Sequence, residues 1–226
     1  MELHLDPLLL QSFRTLEDNL GKGLLYLVGG VVRDTLLGQK TKDLDVATPI
    51  DPGTVHSAFP SATYFASYGT TTFTDSSKVQ VTIASFRREE HYADFRHPSS
   101  VVFVKEISSD YKRRDFTINA LYADTSLLVL DPTRVGLSDL ENRVLRVIGD
   151  PGKRLAEDPL RILRGYRFMA RYSLVPEEET KKALISQAYL LRKLKPGKIR
   201  EEIQKAPEDA REEIIRTCSL QFAYER

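Results

Sequence analysis

Several features are missing from this sequence, and each absence excludes a class of protein. Its 226 residues include a single cysteine, Cys218, so no internal disulfide can form and a reducing compartment is favoured. No apolar run reaches the roughly 18 residues that a membrane span requires. The first residues, "MELHLDPLLLQSF", have neither the basic start nor the small-residue cleavage site of a signal peptide. We therefore expect a soluble, cytoplasmic protein without a membrane partner.

A dinucleotide-binding oxidoreductase is also excluded. The chain contains no G-x-G-x-x-G, and no alternating series of strands and helices follows its one Gly-Gly pair. Both features are needed for a Rossmann phosphate loop.

The periodicity of the chain predicts an α+β fold. Residues 6–20 show helical spacing of apolar residues, and "VVRDTLLG" predicts a helix that Gly38 closes. Strands are predicted for "GLLYLVGG", "KDLDVAT", "YFASYGTTTFT", "KVQVTIASF", "SVVFVKEI" and "LYADTSLLVLD". The polar segment "RREEHYADFRHPSS" predicts an exposed loop. From Leu137 onward the pattern is helical, which predicts two domains, residues 1–136 with the sheet and residues 137–226 with helices only.

Basic residues are concentrated in the helical half. Residues 143–171 hold eight Lys and Arg against three acids, and residues 181–205 hold eight against two, although the net charge of the chain is only +1. This distribution favours a polyanionic partner, although ordinary solvated helix faces would give a similar bias.

Two aspartates in one predicted strand are candidate metal ligands. Side chains alternate along a strand, so Asp43 and Asp45 should lie on the same face. Two such carboxylates suit Mg²⁺, which takes its other ligands from water and substrate phosphate, and paired ions of this kind promote in-line displacement at phosphorus. Upstream, "GGVVRD" supplies Gly29 and Gly30 for close backbone approach to an anion, and Arg33 and Asp34 follow. The alternative is a glycine turn beside surface aspartates.

Two further segments carry arginines suited to nucleotides. In "RRDFTINALY", Arg113 and Arg114 can hold phosphate and Asp115 can accept a hydrogen bond from a ribose hydroxyl; a solvated charge cluster is the alternative. In "EDPLRILRGYRFMARY", an Asp158–Arg161 pair can accept from the exocyclic amine of cytosine or adenine and donate to ring acceptors. Asp158 can alternatively serve only as a helix N-cap before Pro159.

Taken together and in order, these segments resemble the class II nucleotidyltransferases, the bacterial-type tRNA CCA-adding enzymes and their poly(A) polymerase relatives. The resemblance covers roughly residues 20–206 and also includes "FRREEHYADFRHP", "LDPT" and "LLRKLKPGKIREEIQKA". It implies a polymerase-β-like nucleotidyltransferase head domain followed by an all-helical neck.

The resemblance also implies roles for the candidate residues. Asp43 and Asp45 would bind Mg²⁺ and catalyse transfer, while Asp158 and Arg161 would select CTP or ATP. The nucleotide would be bound by a set of residues from all three motifs: Gly29, Gly30, Arg33, Asp34, Arg113, Arg114, Asp115, Asp158, Arg161, Arg164 and Arg167. The 3′-hydroxyl of a tRNA would attack the α-phosphate, and pyrophosphate would leave.

Which product such an enzyme makes is only partly indicated. A flexible loop that CC-adding members lack is matched by Arg87, Glu89, Tyr92, Asp94 and Arg96, which argues against CC addition alone. Poly(A) polymerases carry a Gly-Arg-Arg/Lys-Phe stretch after the paired aspartates. This chain has "YGTTTF" there instead, which argues against poly(A) tailing. CCA addition and A addition both stay open, as does a catalytically inactive RNA-binding module. Family members usually continue into further helices that grip tRNA. Here either the enzyme is naturally small, or the grip comes from a partner chain, the second copy in a homodimer or another surface of the chain.

Overall fold

The computed structural model describes residues 1–92 and 98–224. The chain forms two compact units. The first consists of Met1–Glu89, Val101–Arg114 and Ile118–Leu137, and the second of Glu90–Ser100, Asp115–Thr117 and Ser138–Arg226.

A seven-stranded sheet forms the centre of the first unit. Its strands are β1 (Tyr26–Val28), β2 (Asp43–Thr48), β3 (Thr63–Phe65), β4 (Thr70–Thr74), β5 (Gln80–Ser85), β8 (Tyr122–Ala123) and β9 (Val129–Leu130). They are arranged in the order β3-β4-β5-β2-β1-β8-β9. Strand β2 lies inside the sheet, parallel to β5 and antiparallel to β1. Strands β6 (Arg87–Tyr92) and β7 (Pro98–Phe103) form a separate two-stranded sheet.

Helices accompany this sheet, namely α1 (Pro7–Leu20), α2 (Gly30–Leu36), α3 (Pro52–Ala58) and the single turn α4 (Ile107–Asp110). Two of them begin in the same way. Asp6 and Asp51 accept hydrogen bonds from the first backbone amides of α1 and α3, and a proline follows each aspartate. Helix α2 begins directly after Gly29, whose φ of 70° favours glycine, and the chain turns again at Gly38 with φ of 66°.

The register of the strands decides which side chains share a face. Tyr26 pairs with Ala47 and Val28 pairs with Tyr122, so these residues lie on the same face of the sheet as Asp43 and Asp45. Val28, Ala47, Phe86 and Tyr122 form a buried cluster on this face. Leu44 and Val46 alternate with the aspartates and are fully buried on the other face.

The second unit is mainly helical. Its elements are β10 (Val144–Leu145), α6 (Pro151–Glu157), α7 (Leu160–Tyr172), β11 (Val175–Pro176), α8 (Glu178–Ser186), α9 (Pro196–Gln204) and α10 (Arg211–Thr217). Helix α5 (Gly136–Glu141) spans the boundary between the units. Helix α7 packs against α9 and α10. Gly165 of α7 packs closely against two side chains, since a Cβ there would lie 3.2 Å from Leu184 Cδ2 and 3.3 Å from Phe116 Cζ.

The α+β class predicted from the sequence is confirmed, and two details differ. The segment 87–100 was predicted as an exposed loop, but residues Arg87–Tyr92 and Pro98–Phe103 are paired strands. The charged side chains of Arg87–Tyr92 give no alternating apolar pattern, whereas backbone pairing needs none. The second strand, Pro98–Phe103, overlaps the strand predicted for "SVVFVKEI". In the helical region, the two short strands β10 and β11 pair in parallel. No helix in the part of the chain that the structure describes is long and apolar enough to cross a membrane.

Candidate functional site

The paired aspartates lie as the strand pattern predicts. Asp43 begins β2 and is exposed, Asp45 is half-buried, and the intervening Leu44 is buried. Because β2 is hydrogen-bonded to β1 and β5 on its two sides, the backbone that carries both carboxylates is fixed by the sheet.

The glycine pair lies between one aspartate and one arginine of the later motif. A Cβ added to Gly30 would lie 3.7 Å from Oδ2 of Asp45, and one added to Gly29 would lie 3.9 Å from Nη1 of Arg114. Residues separated by about 85 positions in sequence therefore meet at this turn. Gly29 is buried and Gly30 is half-buried, and the absence of side chains at both positions lets the backbone lie close to a carboxylate and a guanidinium.

Arg33 is buried and held in place by two side chains. Its Nε donates to Asp34 Oδ1 at 2.9 Å, and its Nη1 donates to Asn119 Oδ1. One guanidinium nitrogen, Nη2, would lie 3.7 Å from a Cβ at Gly30. The structure thus places Arg33 beside the glycine turn, with Asp34 as its ion-pair partner.

Asp110 connects both arginines of the second motif. This carboxylate is 0% exposed. It accepts hydrogen bonds from Arg113 Nε at 2.8 Å, Arg114 Nη2 at 3.0 Å and Tyr122 Oη at 2.6 Å, and from the backbone N–H of Arg87 at 3.2 Å. We call these five residues the Asp110 cluster.

Charge and burial act in opposite directions within the Asp110 cluster. Burial alone would raise the pKa of Asp110, but the charges of Arg114 and Arg113 and the hydrogen bonds from Tyr122 and Arg87 outweigh it and lower this pKa far below its usual value. Burial likewise opposes the charge of Arg114, yet its interactions with Tyr122 and Asp110 raise its pKa. Asp110 is therefore ionised at neutral pH and fixes the positions of two cations.

The base of the predicted flexible loop belongs to the same network. Arg87 Nε donates to Glu89 Oε1 at 2.7 Å, and Arg87 Nη1 donates to the carbonyl oxygen of Tyr68 at 2.8 Å. Glu89 Oε1 also lies 3.7 Å from Arg113 Nη1. The side chain of Tyr92 and the residues Asp94 and Arg96 lie outside the part of the structure that is described.

In the second unit, Asp115 is paired with Arg164 of α7. Nε of Arg164 lies 2.6 Å and its Nη2 lies 2.5 Å from Asp115 Oδ2, while Oδ1 accepts from the Phe116 amide at 2.8 Å. Burial alone would lower the pKa of Arg164, but the charge and hydrogen bond of Asp115 raise it. The pair therefore stays ionised and holds the Asp115 carboxylate in one orientation.

Arg161 lies in the first turn of α7, and Asp158 lies just before this helix, directly after α6. Asp158 Oδ1 accepts from Leu160 N at 3.1 Å, and Arg161 N donates to the Asp158 carbonyl oxygen at 3.0 Å. The N-cap position is nevertheless Pro159, one residue later than the sequence predicts. Arg161 is buried, and its Nη1 donates to the carbonyl oxygen of Arg154 at 2.8 Å.

Arg167, one turn further along α7 than Arg164, forms a buried ion pair. Its Nε donates to Glu202 Oε1 of α9 at 2.6 Å, and both side chains are nearly inaccessible to solvent. Within the second unit, this pair ties α7 to α9 and fixes the face of α7 on which Arg164 lies.

The donor set at the paired aspartates fits Mg²⁺. The described residues contain no group of three or more His, Cys, Asp or Glu side chains that could hold a metal. Mg²⁺ does not need such a group, because it binds through one or two carboxylates and completes its shell with water and phosphate oxygens. Asp43 is exposed and Asp45 faces the glycine turn, so hard oxygen donors and an open approach are both present.

Sequence reasoning missed the residues that hold the predicted ones in place: Asp110, Asn119, Tyr122 and Glu202. Tyr122 falls within the quoted "RRDFTINALY" segment, so its proximity to Arg114 in the sequence was available as a signal. Asn119 lies in the same segment, but its partner Arg33 is 86 positions away. The pairing of Glu202 with a residue 35 positions away had no signal in the sequence.

The family of this chain is shown by comparison with known proteins. Residues 25–146 match the family described as the poly A polymerase head domain, which is more than half of the chain. The chain therefore belongs to this family, and the resemblance stated from the sequence is confirmed.

Curated relatives give a more particular similarity. The chain is 41% identical over 169 residues to the CCA-adding enzyme of Streptococcus suis (strain 05ZYH33), which covers 75% of this chain and 42% of that enzyme. It is 36% identical over 180 residues to the CCA-adding enzyme of Geobacillus sp. (strain WCH70), covering 80% of this chain and 44% of the relative. The chain thus spans about two fifths of the length of these curated relatives.

Solved structures agree with this fold. The Bacillus stearothermophilus CCA-adding enzyme in complex with CTP matches with a TM-score of 0.78 and 30% identity, over 92% of this chain and 51% of that one. The Thermotoga maritima CCA-adding enzyme complexed with tRNA_CCA matches with a TM-score of 0.70 and 26% identity, over 97% of this chain and 51% of that one.

Proposed function

We propose that this chain is a template-independent tRNA nucleotidyltransferase that adds C and A, or A alone, from CTP and ATP to the 3′ end of tRNA. The observation that carries this proposal is the turn at Gly29 and Gly30, which lies between Oδ2 of Asp45 and Nη1 of Arg114. Similarity to CCA-adding enzymes solved with CTP and with tRNA supports the choice of substrates.

In this proposal Asp43 and Asp45 hold Mg²⁺ through their carboxylate oxygens. When bound, the ion polarises the phosphate oxygens and stabilises the charge that develops during displacement. The backbone of Gly30, which is half-buried and carries no side chain, contacts the triphosphate, and Arg114, oriented by Asp110, neutralises it. Arg33 and Arg113 add positive charge to the same region.

Residues of the second unit would bind and select the nucleoside. Asp115, oriented by Arg164, accepts from a ribose hydroxyl, which favours ribonucleotides. Asp158 and Arg161 present an acceptor and donors that match the exposed edges of cytosine and adenine. Guanine and uracil present the opposite pattern to the Asp158 carboxylate and are rejected.

We further propose that residues 1–136 act as the catalytic head and residues 137–226 as a neck that carries the selecting residues and contacts RNA. Arg87, Glu89, Tyr92, Asp94 and Arg96 are proposed to form the loop that helps switch from C to A.

The test is an assay of the full chain with Mg²⁺ on labelled tRNAs that end before CCA, after C and after CC. Each tRNA is incubated with CTP, ATP or both. Growth of all three to CCA, with a stop there, is the expected result. Addition of one A to the CC-ended tRNA alone would identify an A-adding specialist.

Other outcomes would contradict the proposal. Continued A addition beyond CCA would indicate a poly(A) polymerase. Binding of tRNA or ATP without any extension, in all nine reactions, would indicate a binding module that has lost catalysis.

Nucleotide selection should depend on the Asp158–Arg161 pair. In Asp158→Ala and Arg161→Ala, discrimination of CTP and ATP against UTP and GTP should fall about 10- to 100-fold, because a matched pair of base contacts contributes about 1–3 kcal/mol. Binding of the triphosphate should change less. Competition kinetics with all four nucleotides measure the ratio.

A matched control separates selection from helix capping. Asp150 caps α6 by accepting from Lys153 N at 2.7 Å, much as Asp158 accepts from Leu160 N, but we assign it no role in base selection. Asp150→Ala should lose the cap without losing discrimination. Equal loss of discrimination in both Asp→Ala variants, or unchanged discrimination in Asp158→Ala, would contradict the template role.

A further inference from the structure

A pocket of about 600 Å³ lies in the first unit, beside the strand that carries the paired aspartates. Its walls come from three places: the start of α1, the segment between α2 and β2, and the turn between β4 and β5. Leu8, Leu9 and Val79 supply apolar surface, while His4, Lys40, Lys42 and Lys78 supply basic groups.

The charge of this pocket is one-sided. Asp6 is its one acidic lining residue, and its carboxylate already accepts from Leu8 N at the start of α1. All three lysines are exposed, and none of them forms an ion pair with a residue in the ranges 1–92 and 98–224. Lysines on an ordinary solvated face point apart, whereas these three surround one concavity and give it a positive potential.

The turn that carries Lys78 is built in a conformation that favours glycine. Lys78 has a φ of 62°, which disfavours any residue with a side chain. Asp75 braces this turn, since it accepts from Val79 N at 2.8 Å and from Ser12 Oγ of α1 at 2.5 Å. Position 78, at the rim of the pocket, therefore holds a lysine although a glycine would be less strained in this backbone conformation.

The pocket lies at the end of the sheet where the aspartates lie. Lys42 directly precedes Asp43, and Val79 directly precedes Gln80, whose Cα is the partner of Asp43 in the β2–β5 ladder. Since a strand advances about 3.3 Å per residue, two lining residues lie one residue from the level of Asp43. By the alternation of side chains they point to the face of Leu44, opposite to the aspartates, so an RNA strand that reaches both sites passes over this end of β2.

We propose that this pocket binds a nucleotide of the RNA strand upstream of the reacting 3′ end. This inference rests on the proposed transfer function, which requires an RNA strand to end near Asp43 and Asp45. Lys40, Lys42 and Lys78 pair with backbone phosphate, and the exposed side chain of Leu8 contacts the base or ribose. A positively charged groove that follows the backbone is how single-stranded nucleic acid is held without sequence preference.

The test measures RNA binding separately from transfer. In the full chain, Lys40→Gln/Lys42→Gln/Lys78→Gln should weaken binding of a labelled tRNA ending in CC by tenfold or more. The slope of log K against log salt should fall by about 2, because single-stranded sites lose about 0.7 per phosphate contact. The Kd for CTP and ATP in the absence of RNA should stay within twofold of wild type.

Two controls sharpen the result. Lys22 is an exposed lysine of the same unit that does not line the pocket. Lys22→Gln removes one positive charge, as each substitution of the triple variant does, and should bind tRNA as wild type does. A photoactivatable 4-thiouridine upstream of the tRNA 3′ end should cross-link to peptides that contain residues 39–42 or 77–79.

The outcomes distinguish this inference from the proposed function. If the triple variant binds tRNA with wild-type affinity and salt slope while the wild type still extends tRNA, the pocket assignment is overturned and the function stands. If the wild type extends no RNA but the triple variant loses tRNA affinity, the pocket stands and the function fails. Cross-links confined to residues 138–224 would overturn the pocket assignment.

Discussion

Asp45→Asn is expected to reduce nucleotide transfer about a thousandfold or more, and Asp43→Asn by a similar factor. Metal ions at a displacement site stabilise the transition state by several kcal/mol, and each 1.4 kcal/mol is a factor of ten in rate. The amide keeps the volume of the carboxylate but removes its charge, so Mg²⁺ loses one of its two protein ligands. Single-turnover extension of a CC-ended tRNA with ATP measures the loss.

The fold should survive both changes. Asp43 is exposed and Asp45 half-buried, and the backbone of β2 is held by strands on both sides. Asp18→Asn, an exposed aspartate of α1, is the matched control and should transfer as wild type does. Thermal unfolding should be nearly unchanged in all three variants. Retained transfer in both β2 variants would remove the metal assignment.

The second large effect is expected for Asp110→Asn, which should lower the free energy of unfolding by about 3–5 kcal/mol, the usual cost of breaking a buried ion pair. The fully buried carboxylate accepts from two guanidinium groups, one hydroxyl and one backbone amide. An amide group in its place directs an NH₂ at some of these donors and leaves Arg113 and Arg114 without their counter-charge. Urea unfolding followed by circular dichroism measures the change.

Tyr122→Phe is the graded comparison for this variant. It removes one neutral donor and leaves the charges paired, so a smaller loss of about 1–2 kcal/mol is expected. Equal losses in the two variants, or a loss below 1 kcal/mol in Asp110→Asn, would contradict the view that Asp110 organises both arginines.

The pH dependence of the free energy of unfolding should reflect the ionisation of Asp110. The pKa of Asp110 is lowered in the folded protein from its ordinary 3.8, so its contribution is fully present above that value. The contribution is lost as pH falls from about 4 toward the lower folded-state pKa. The stability difference between wild type and Asp110→Asn should therefore shrink below pH 4, and a constant difference down to pH 2 would argue against the lowered pKa.

Sequence patterns sufficed where a residue's role depends on its neighbours in the chain. Alternation along β2 predicts the common face of Asp43 and Asp45, and the glycine pair predicts the turn before α2, because both follow from local backbone geometry. Strand β6 was missed for the converse reason. Its residues, Arg87–Tyr92, are mostly charged and are held by pairing with β7, which leaves no apolar periodicity to detect.

The partners of the site arginines that the sequence did not predict are residues distant from them in the chain. Nothing local to Arg33 indicates that Asn119 will accept its hydrogen bond across 86 positions, or that Arg167 will meet Glu202. Such partners depend on how helices and strands pack. A sequence motif therefore shows which arginines are present, and only the fold shows which side chains orient them.

The internal position of β2 in its sheet has a consequence for how such an enzyme could diversify. Both aspartates are carried by a strand that is bonded to β1 and β5 through its main chain, so their geometry depends little on which side chains surround it. Substitutions elsewhere can then alter which base or which RNA is accepted while the bond-forming step is unaffected. In the proposed function, a pair of metal ligands fixed in this way would separate the chemical step from the choice of base and RNA.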